Sequence, residues 1–389
     1  MENLSITVIS DLHCHPTEDG IDDTYLKTDL LRTPSAEHPV ESVVQLIKEN
    51  NITSDLTLCP GDFTNKSNKQ GFISGWEFSL EIHKALNGKE IIATLGNHDI
   101  DSFGVISDYC FEVARGIKKG FPIKDENLLD TFWSKGSVFI EGENYRVLAI
   151  NSSHFHYTKS TSEYGKVGDE TLEYIESYLS KIEDSKITIA LSHHHPVDHS
   201  RLKLGEKDKI VNGNELLEII GKYKFDLFIH GHKHDPLLRY HTCYSNNHKI
   251  PILSAGSFSA TSNITFSGQR NTFHKIDIIK DNGIVKGTIQ TWTFLPRSGW
   301  KVRYDDEGFH SHTGFGFSGK VEELALKIIN EVGSSHLMKW IDIIQKFPEV
   351  KYLIPTEAIE FSKIINEKGL RLDEKIWQNP EVISNTNLI

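Results

Sequence analysis

The chain has 389 residues, enough for one large domain and an appendage. Its 38% hydrophobic and 25% charged content suits a globular protein, and no run approaches the roughly 18 apolar residues of a membrane span. A formal charge of −12 opposes a broad, sequence-independent hold on nucleic acid, which needs a basic face.

In chain order, residues 6–9 form the first short apolar run of strand character, followed by Asp11-Leu12-His13. A polar, acidic insertion over 17–39 reads equally as a lid over a site or as a surface loop. Val40, Val43, Val44 and Ile47 then show the i, i+3, i+4, i+7 spacing of an amphipathic helix. Residues 56–59 make a second strand, followed by Gly61-Asp62, and 91–95 a third, followed by Gly96-Asn97-His98-Asp99. A strand over 145–150 precedes His154 and His156. Leu172, Ile175, Leu179 and Ile182 form a helical stripe with Asp169 as its expected cap. Residues 187–191 lead into His193-His194-His195-Pro196. A helix through Leu216, Leu217 and Ile220 follows Asn212 and Asn214, with Gly221 as its stop. Residues 225–230 lead into Gly231-His232-Lys233-His234.

Beyond these blocks, 272–294 predict two strands turned by Asp281-Asn282-Gly283. Residues 296–319, rich in Gly, aromatics and His, read as an irregular connection. Over 320–389 the pattern is helical: Val321, Leu324, Ala325, Ile328, Ile329 and Val332 form one stripe, and Ala358, Phe361, Ile364 and Ile365 another. The expected organisation is a main domain over 1–295, the connection, and a small helical module over 320–389 that docks on the main domain, on a partner protein or on a second copy.

Strands alternating with helices predict α/β layers, whose ligands gather beyond the carboxyl ends of the strands. Five polar blocks fall there. Carboxylates, imidazoles and an amide suit hard-to-borderline divalent cations, and the lack of clustered thiols argues against Fe–S or Cys-rich zinc sites. Period-two spacing places Asp11 and His13 on one side of an extended segment; it points His232 and His234 inward and Lys233 away. Asp62 is the carboxylate placed to bridge two cations. Such a pair clamps a phosphoryl group and activates water, so no Ser or Cys nucleophile is needed.

The order D-x-H, G-D, G-N-H-D, H-H-P, G-H-x-H resembles the calcineurin-like metallophosphoesterase superfamily across about residues 5–295. The resemblance implies a four-layer α/β/β/α sandwich, here with a C-terminal helical extension, and a metal pair at one edge. It implies one ion held by Asp11, His13, Asp62 and His234. The other would be held by Asp62, Asn97, His194 and His232, with His193 as the alternative to His194. His98 would contact the phosphate and assist the leaving group, with Asp99 as its orienting partner. Manganese is the favoured cation; iron, zinc and nickel also suit these donors. His15, His154 and His156 are secondary candidates near the site.

Ser/Thr protein phosphatases of this superfamily place an Arg shortly after Gly-Asp. Here Gly61-Asp62-Phe63-Thr64-Asn65-Lys66-Ser67 lacks it, and His194-His195-Pro196 resembles the phosphodiesterase and nucleotidase branches. The expectation is a metal-dependent phosphodiesterase using activated water. A nuclease with a partner subunit, a phosphomonoesterase and an inactive scaffold are the alternatives. The substrate is a phosphate ester, with nucleotides or nucleic acid in scope. Local basic candidates are Arg201, Lys203, Lys207 and Lys209, and then Arg297, Lys301 and Arg303 around Trp300, a possible base-stacking platform. Cys14, Cys59, Cys110 and Cys243 are scattered, and Met1-Glu2-Asn3-Leu4 lacks a basic start; both favour a cytoplasmic location.

Overall fold

The computed structural model describes all residues except 19, 33–35, 159, 163, 183–184, 200–205, 262–269, 303–308, 334, 374–379 and 389. Arg201, Lys203 and Arg303 therefore lie outside the described residues. The apolar runs become strands of two mixed sheets. The first contains β1 (Glu2–Val8), β2 (Leu56–Cys59), β3 (Glu90–Ala93), β10 (Thr272–Asp281), β11 (Ile284–Leu295), β12 (Gly299–Lys301) and β13 (His312–Phe315). Its order is β12-β11-β10-β1-β2-β3, with β13 also on β11. The second contains β4 (Ser137–Glu141), β5 (Tyr145–Ile150), β6 (Ile187–Leu191), β7 (Leu227–His230), β8 (Leu237–Thr242) and β9 (Lys249–Ser254), ordered β4-β5-β6-β7-β9-β8.

The central strands are parallel, with Val8 opposite Leu58 and Leu58 opposite Ile92 in one sheet, and Leu191 opposite Ile229 in the other. Parallel pairing needs crossover helices. They are α1 (Pro39–Glu49) and α2 (Lys69–Ala85) beside the first sheet, and α5 (Asp169–Leu179) and α6 (Gly213–Lys222) beside the second. The short helices α3 (Glu112–Gly116) and α4 (Glu126–Lys135) precede β4.

Period-two alternation sorts the core into layers. In β5, Val147 and Ala149 join the cluster shared with the first sheet, while Leu148 and Ile150 join Leu172, Ile175, Leu216 and Ile220 of α5 and α6. In β6, Ile187, Ile189 and Leu191 face the first sheet and Ala190 faces the helices. Val40, Val43, Val44 and Ile47 are buried on α1, as their spacing predicts, each contributing about 2 kcal/mol by leaving water. The layers are thus helix, sheet, sheet, helix, which sets the carboxyl ends of β1, β2, β3, β6 and β7 along one edge.

Several details differ from the sequence reading. Asp169 is the first residue of α5, and Gly168 stands at the cap without a side-chain hydrogen bond. Residues 296–319 supply β12 and β13 rather than a purely irregular connection. Trp300 is core: it packs on Phe258, Phe273 and Phe294, and its Nε1–H donates to the Pro39 carbonyl at 2.8 Å, so it offers no stacking face. Asp281-Asn282-Gly283 does turn a hairpin, with Asn282 and Gly283 left-handed at φ 49° and 80°.

The C-terminal module has its own core, built by α7 (Val321–Val332), α8 (Trp340–Lys346) and α9 (Pro355–Glu367). It also carries a three-stranded sheet of β14 (Leu337–Lys339), β15 (Leu370–Leu372) and β16 (Val382–Asn385), ordered β14-β16-β15. The module is therefore not helical throughout; strands of three or four residues are too short to show alternation in sequence. It joins the main domain where Gly314 N–H and the Thr313 hydroxyl both donate to the Leu353 carbonyl at 3.1 Å. Among the described residues no helix is long and apolar enough to cross a membrane.

Candidate metal centre

Three of the five polar blocks leave their strands through an unusual backbone. Asp11, His13, Asp62, His232 and His234 all have left-handed φ, between 50° and 73°. Non-glycine residues held so cost about 1–3 kcal/mol each and gather at functional sites. The extended geometry expected for Asp-x-His and His-x-His is therefore replaced by turns that fold the side chains back over the strand ends. α2 packs close beneath: a Cβ at Gly71 would meet the Cys14 carbonyl oxygen at 2.0 Å, and one at Gly75 the Phe63 oxygen at 2.4 Å.

Two groups of donors form around Asp62. In the first, His13 Nε2 lies 2.8 Å from His234 Nε2 and 3.6 Å from Asp62 Oδ2, and His234 Nε2 lies 3.3 Å from Asp11 Oδ1. In the second, His193 Nε2 lies 3.1 Å from Asn97 Oδ1 and 3.3 Å from Asp62 Oδ2. Asp62 Oδ1 accepts the His98 N–H at 2.9 Å, which leaves Oδ2 facing both groups. His193 Nδ1 donates to the Pro60 carbonyl at 2.9 Å, so Nε2 is the nitrogen turned toward Asp62 and Asn97. His232 stands 5.0 Å from His193, ring to ring; its Nε2 is paired with Asp208 Oδ2 at 3.1 Å, leaving Nδ1 as the donor it offers. Ligand atoms of Asp11, His13 and His234, and of Asp11, Asp62 and His193, lie within 4.8 Å of one another. The residues present thus fit a pair of divalent cations sharing Asp62.

His193, rather than His194, is the histidine of this block in contact with Asp62 and Asn97, although His194 Nε2 is also buried without a hydrogen-bond partner. His194 Nδ1 pairs with the Ser152 hydroxyl at 2.9 Å, and its ring lies 4.6 Å from that of His232. The reason lies just after β6. Ile187, Ile189 and Leu191 point between the sheets and Ala190 toward the helices; β6 ends at Leu191, and in the bend that follows His193 turns toward Asp62 while His194 turns toward Ser152. The Gly231 N–H holds the His193 carbonyl at 3.1 Å.

Asp99 also has a different role. Its carboxylate accepts the backbone N–H groups of Asp62, Phe63, Thr64 and Gly96 at 2.7–3.2 Å. It clamps the Asp62 loop to the Asn97 loop and does not touch the His98 ring. His98 is oriented by the Lys66 N–H, which donates to Nδ1 at 3.2 Å and leaves Nε2 as the proton-bearing nitrogen. The His98 ring lies 5.0 Å from His13, inside the site.

Asp11, Asp62 and Asp99 are all buried to 1% exposure or less. Burial raises a carboxyl group, yet the imidazoles of His193, His98 and His13 outweigh it and hold Asp62 below the usual range. His13 and His234 do the same for Asp11. Burial pulls His193 down, but the charges of Asp62 and Asp11 carry it up to about 9. A proton on His193 answers Asp62 where a cation would. His98, dominated by burial, falls to about 4.

Asp208 is a site residue that the sequence reading missed. It binds His232 and Lys233 and lies 3.7 Å from His195 Nε2. Between Lys207 and Lys209 it reads as part of a solvated charged loop, and no periodicity marks it. Lys209, a candidate for a basic groove, instead pairs with Asp198 at 2.5 Å. His156 faces inward, its ring 5.2 Å from that of His194.

A family model described as calcineurin-like phosphoesterase matches residues 4–236, and one described as wHTH-Calcineurin_assc matches residues 313–367. No curated protein matches. Among solved structures, the chain is similar to the purple acid phosphatase PPD1 of yellow lupin (Lupinus luteus), at 17% identity and TM-score 0.49, over 81% of this chain and 54% of that one. It thus spans about half the length of the lupin protein. It is also similar to a dimetal phosphatase of Danio rerio, at 13% identity and TM-score 0.45, over 77% of this chain and 98% of that one. With the first family model covering more than half of its length, and the blocks that carry the family order gathered at one sheet edge, the chain belongs to the calcineurin-like phosphoesterase family.

Proposed function

We propose that this protein hydrolyses phosphate esters with two bound divalent cations, and that phosphodiesters are its preferred substrates. One observation carries the reading: Asp62 Oδ2 stands 3.6 Å from His13 Nε2 and 3.3 Å from His193 Nε2, so one carboxylate serves two sets of donors. Asp11, His13, Asp62 and His234 would hold one ion, and Asp62, Asn97, His193 and His232 the other. Two such ions, with manganese favoured, polarise a phosphoryl group and bring the pKa of water to about 7.

The remaining chemistry belongs to the chain. His98 presents Nε2–H to the departing oxygen, because the Lys66 N–H occupies Nδ1. Asp99 holds Asp62 and Gly96 by their amides and keeps the two loops in step. Asp208 fixes the ring of His232. The run Phe63–Ser67 contains no Arg to grip the paired terminal oxygens of a monoester, which favours diesters.

The charge balance favours a small molecule over a polynucleotide. Residues 320–389 carry nine Lys and Arg against eleven Asp and Glu, so the C-terminal module adds no net positive charge for a sequence-independent hold on nucleic acid. The test is a panel of aryl monoester, aryl diester, cyclic nucleotide and oligonucleotide, run with manganese. Diester turnover should exceed the rest and vanish in Asn97→Ala. Wild-type rates in that variant, or no turnover by the loaded protein, would sink the proposal.

A further inference from the structure

Away from the strand-end edge, the described residues gather one other group of metal-ligating side chains. Glu218 of α6, His241 of β8 and Cys243 in the turn after β8 bring a carboxylate oxygen, an imidazole nitrogen and a thiol sulfur within 4.8 Å of one another. We propose that Glu218, His241 and Cys243 form a zinc site that ties α6 to the edge strand β8, separate from the paired-cation centre.

Three features carry it. His241 Nε2 is buried without a hydrogen-bond partner. Cys243 is a free, buried thiol whose S–H donates to the Leu217 carbonyl at 3.5 Å, a bond that metal binding would replace. Glu218 is held in place by the Tyr244 and Ser245 N–H groups at 2.7 and 3.1 Å, so its carboxylate is oriented before any ion arrives.

The donor set selects the metal. Thiolate with imidazole favours zinc over manganese or magnesium, and three protein donors leave a fourth position for water. Zinc bonds of about 2.0–2.3 Å set neighbouring donors roughly 3.5 Å apart, and the triad already lies within 4.8 Å. On binding, the Cys243 S–H bond gives way to a zinc–sulfur bond and the proton leaves to solvent. The clip would brace β8 beside α9, whose neighbour it is in the fold.

Cobalt(II) in the full-length protein separates this site from the catalytic one, because the donors proposed there are oxygen and nitrogen alone. Chelator-stripped protein reloaded with cobalt should show a thiolate-to-cobalt charge-transfer band in the near ultraviolet. The band should disappear in Cys243→Ser and persist in Asp62→Asn. Absence of the band in the wild type, or its survival in Cys243→Ser, overturns the proposal. If Cys243→Ser does not fold, His241→Gln decides. Its zinc affinity should fall by more than the roughly 10- to 100-fold typical of an outer-shell partner, and unchanged affinity would refute the site. Phosphoesterase activity in manganese should be unaffected by His241→Gln.

Discussion

The strand-end edge of the main domain and the core of the C-terminal module are built on opposite principles. The edge buries Asp11, Asp62 and Asp99 among imidazoles, on backbone that five residues hold left-handed. The module buries Val321, Leu324, Ile328, Ile343, Phe361 and Ile383, apolar side chains on helices and short strands. One sets backbone strain and buried carboxylates, offset by imidazoles, at the strand ends, as the proposed cation pair requires; the other gains stability by ordinary packing.

The largest expected effect separates two adjacent histidines at that edge. His193→Ala should lower manganese-dependent turnover by at least about 100-fold and reduce bound metal. His194→Ala, which removes a ring hydrogen-bonded to Ser152, should cost far less turnover and leave metal content near wild type. Equal losses in both would erase the distinction that the bend after β6 draws.

In the module the corresponding change is packing alone. Ile328→Ala should destabilise that core by about 2–5 kcal/mol, read by hydrogen exchange over α7 and α9. Metal content and turnover of the main domain should stay unchanged. A parallel loss of bound metal would mean that the two cores are not separate.

These contrasts also explain what was legible in the sequence. The five blocks were readable because a metal centre needs particular atoms, and the order of the blocks is specific. His194 was preferred to His193 because the adjoining proline guided the choice, and the bend after β6 leaves no strand period to guide it otherwise. Asp99 was read as a partner for His98 by adjacency, whereas its real partners are amides brought near only by the fold. β14, β15 and β16 were invisible because a strand of three or four residues has no measurable period. Glycines at 71 and 75 interrupt the helical pattern of α2, and their cause is a loop more than ten residues away or, for Gly71, more than fifty.

Acid should weaken the main domain. His274 is fully buried in β10, paired with the Thr291 hydroxyl and the Ala255 carbonyl, both at 2.8 Å, and burial lowers it to about 4. The unfolded chain then binds more protons than the folded one between that value and about 6.5. Stability from this group is therefore complete above about pH 6.5 and lost as pH falls toward 4, by about 3 kcal/mol at most. His274→Gln should flatten that slope in urea titrations of the main domain.

The smallest effect tests how the edge is held rather than what it holds. Asp208 touches no cation in the proposed arrangement; it accepts from His232 and pairs with Lys233, so it decides which nitrogen of His232 faces inward. Asp208→Asn keeps the shape but weakens that orientation and leaves Lys233 without its counter-charge. Outer-shell losses of this kind cost about 10- to 100-fold in metal affinity. The manganese concentration for half-maximal turnover should therefore rise by that factor, while turnover at saturating manganese returns close to wild type. A lower ceiling at saturation would place Asp208 in the chemistry itself. An unchanged half-maximal concentration would mean that the left-handed turn at His232 suffices to aim the ring without it.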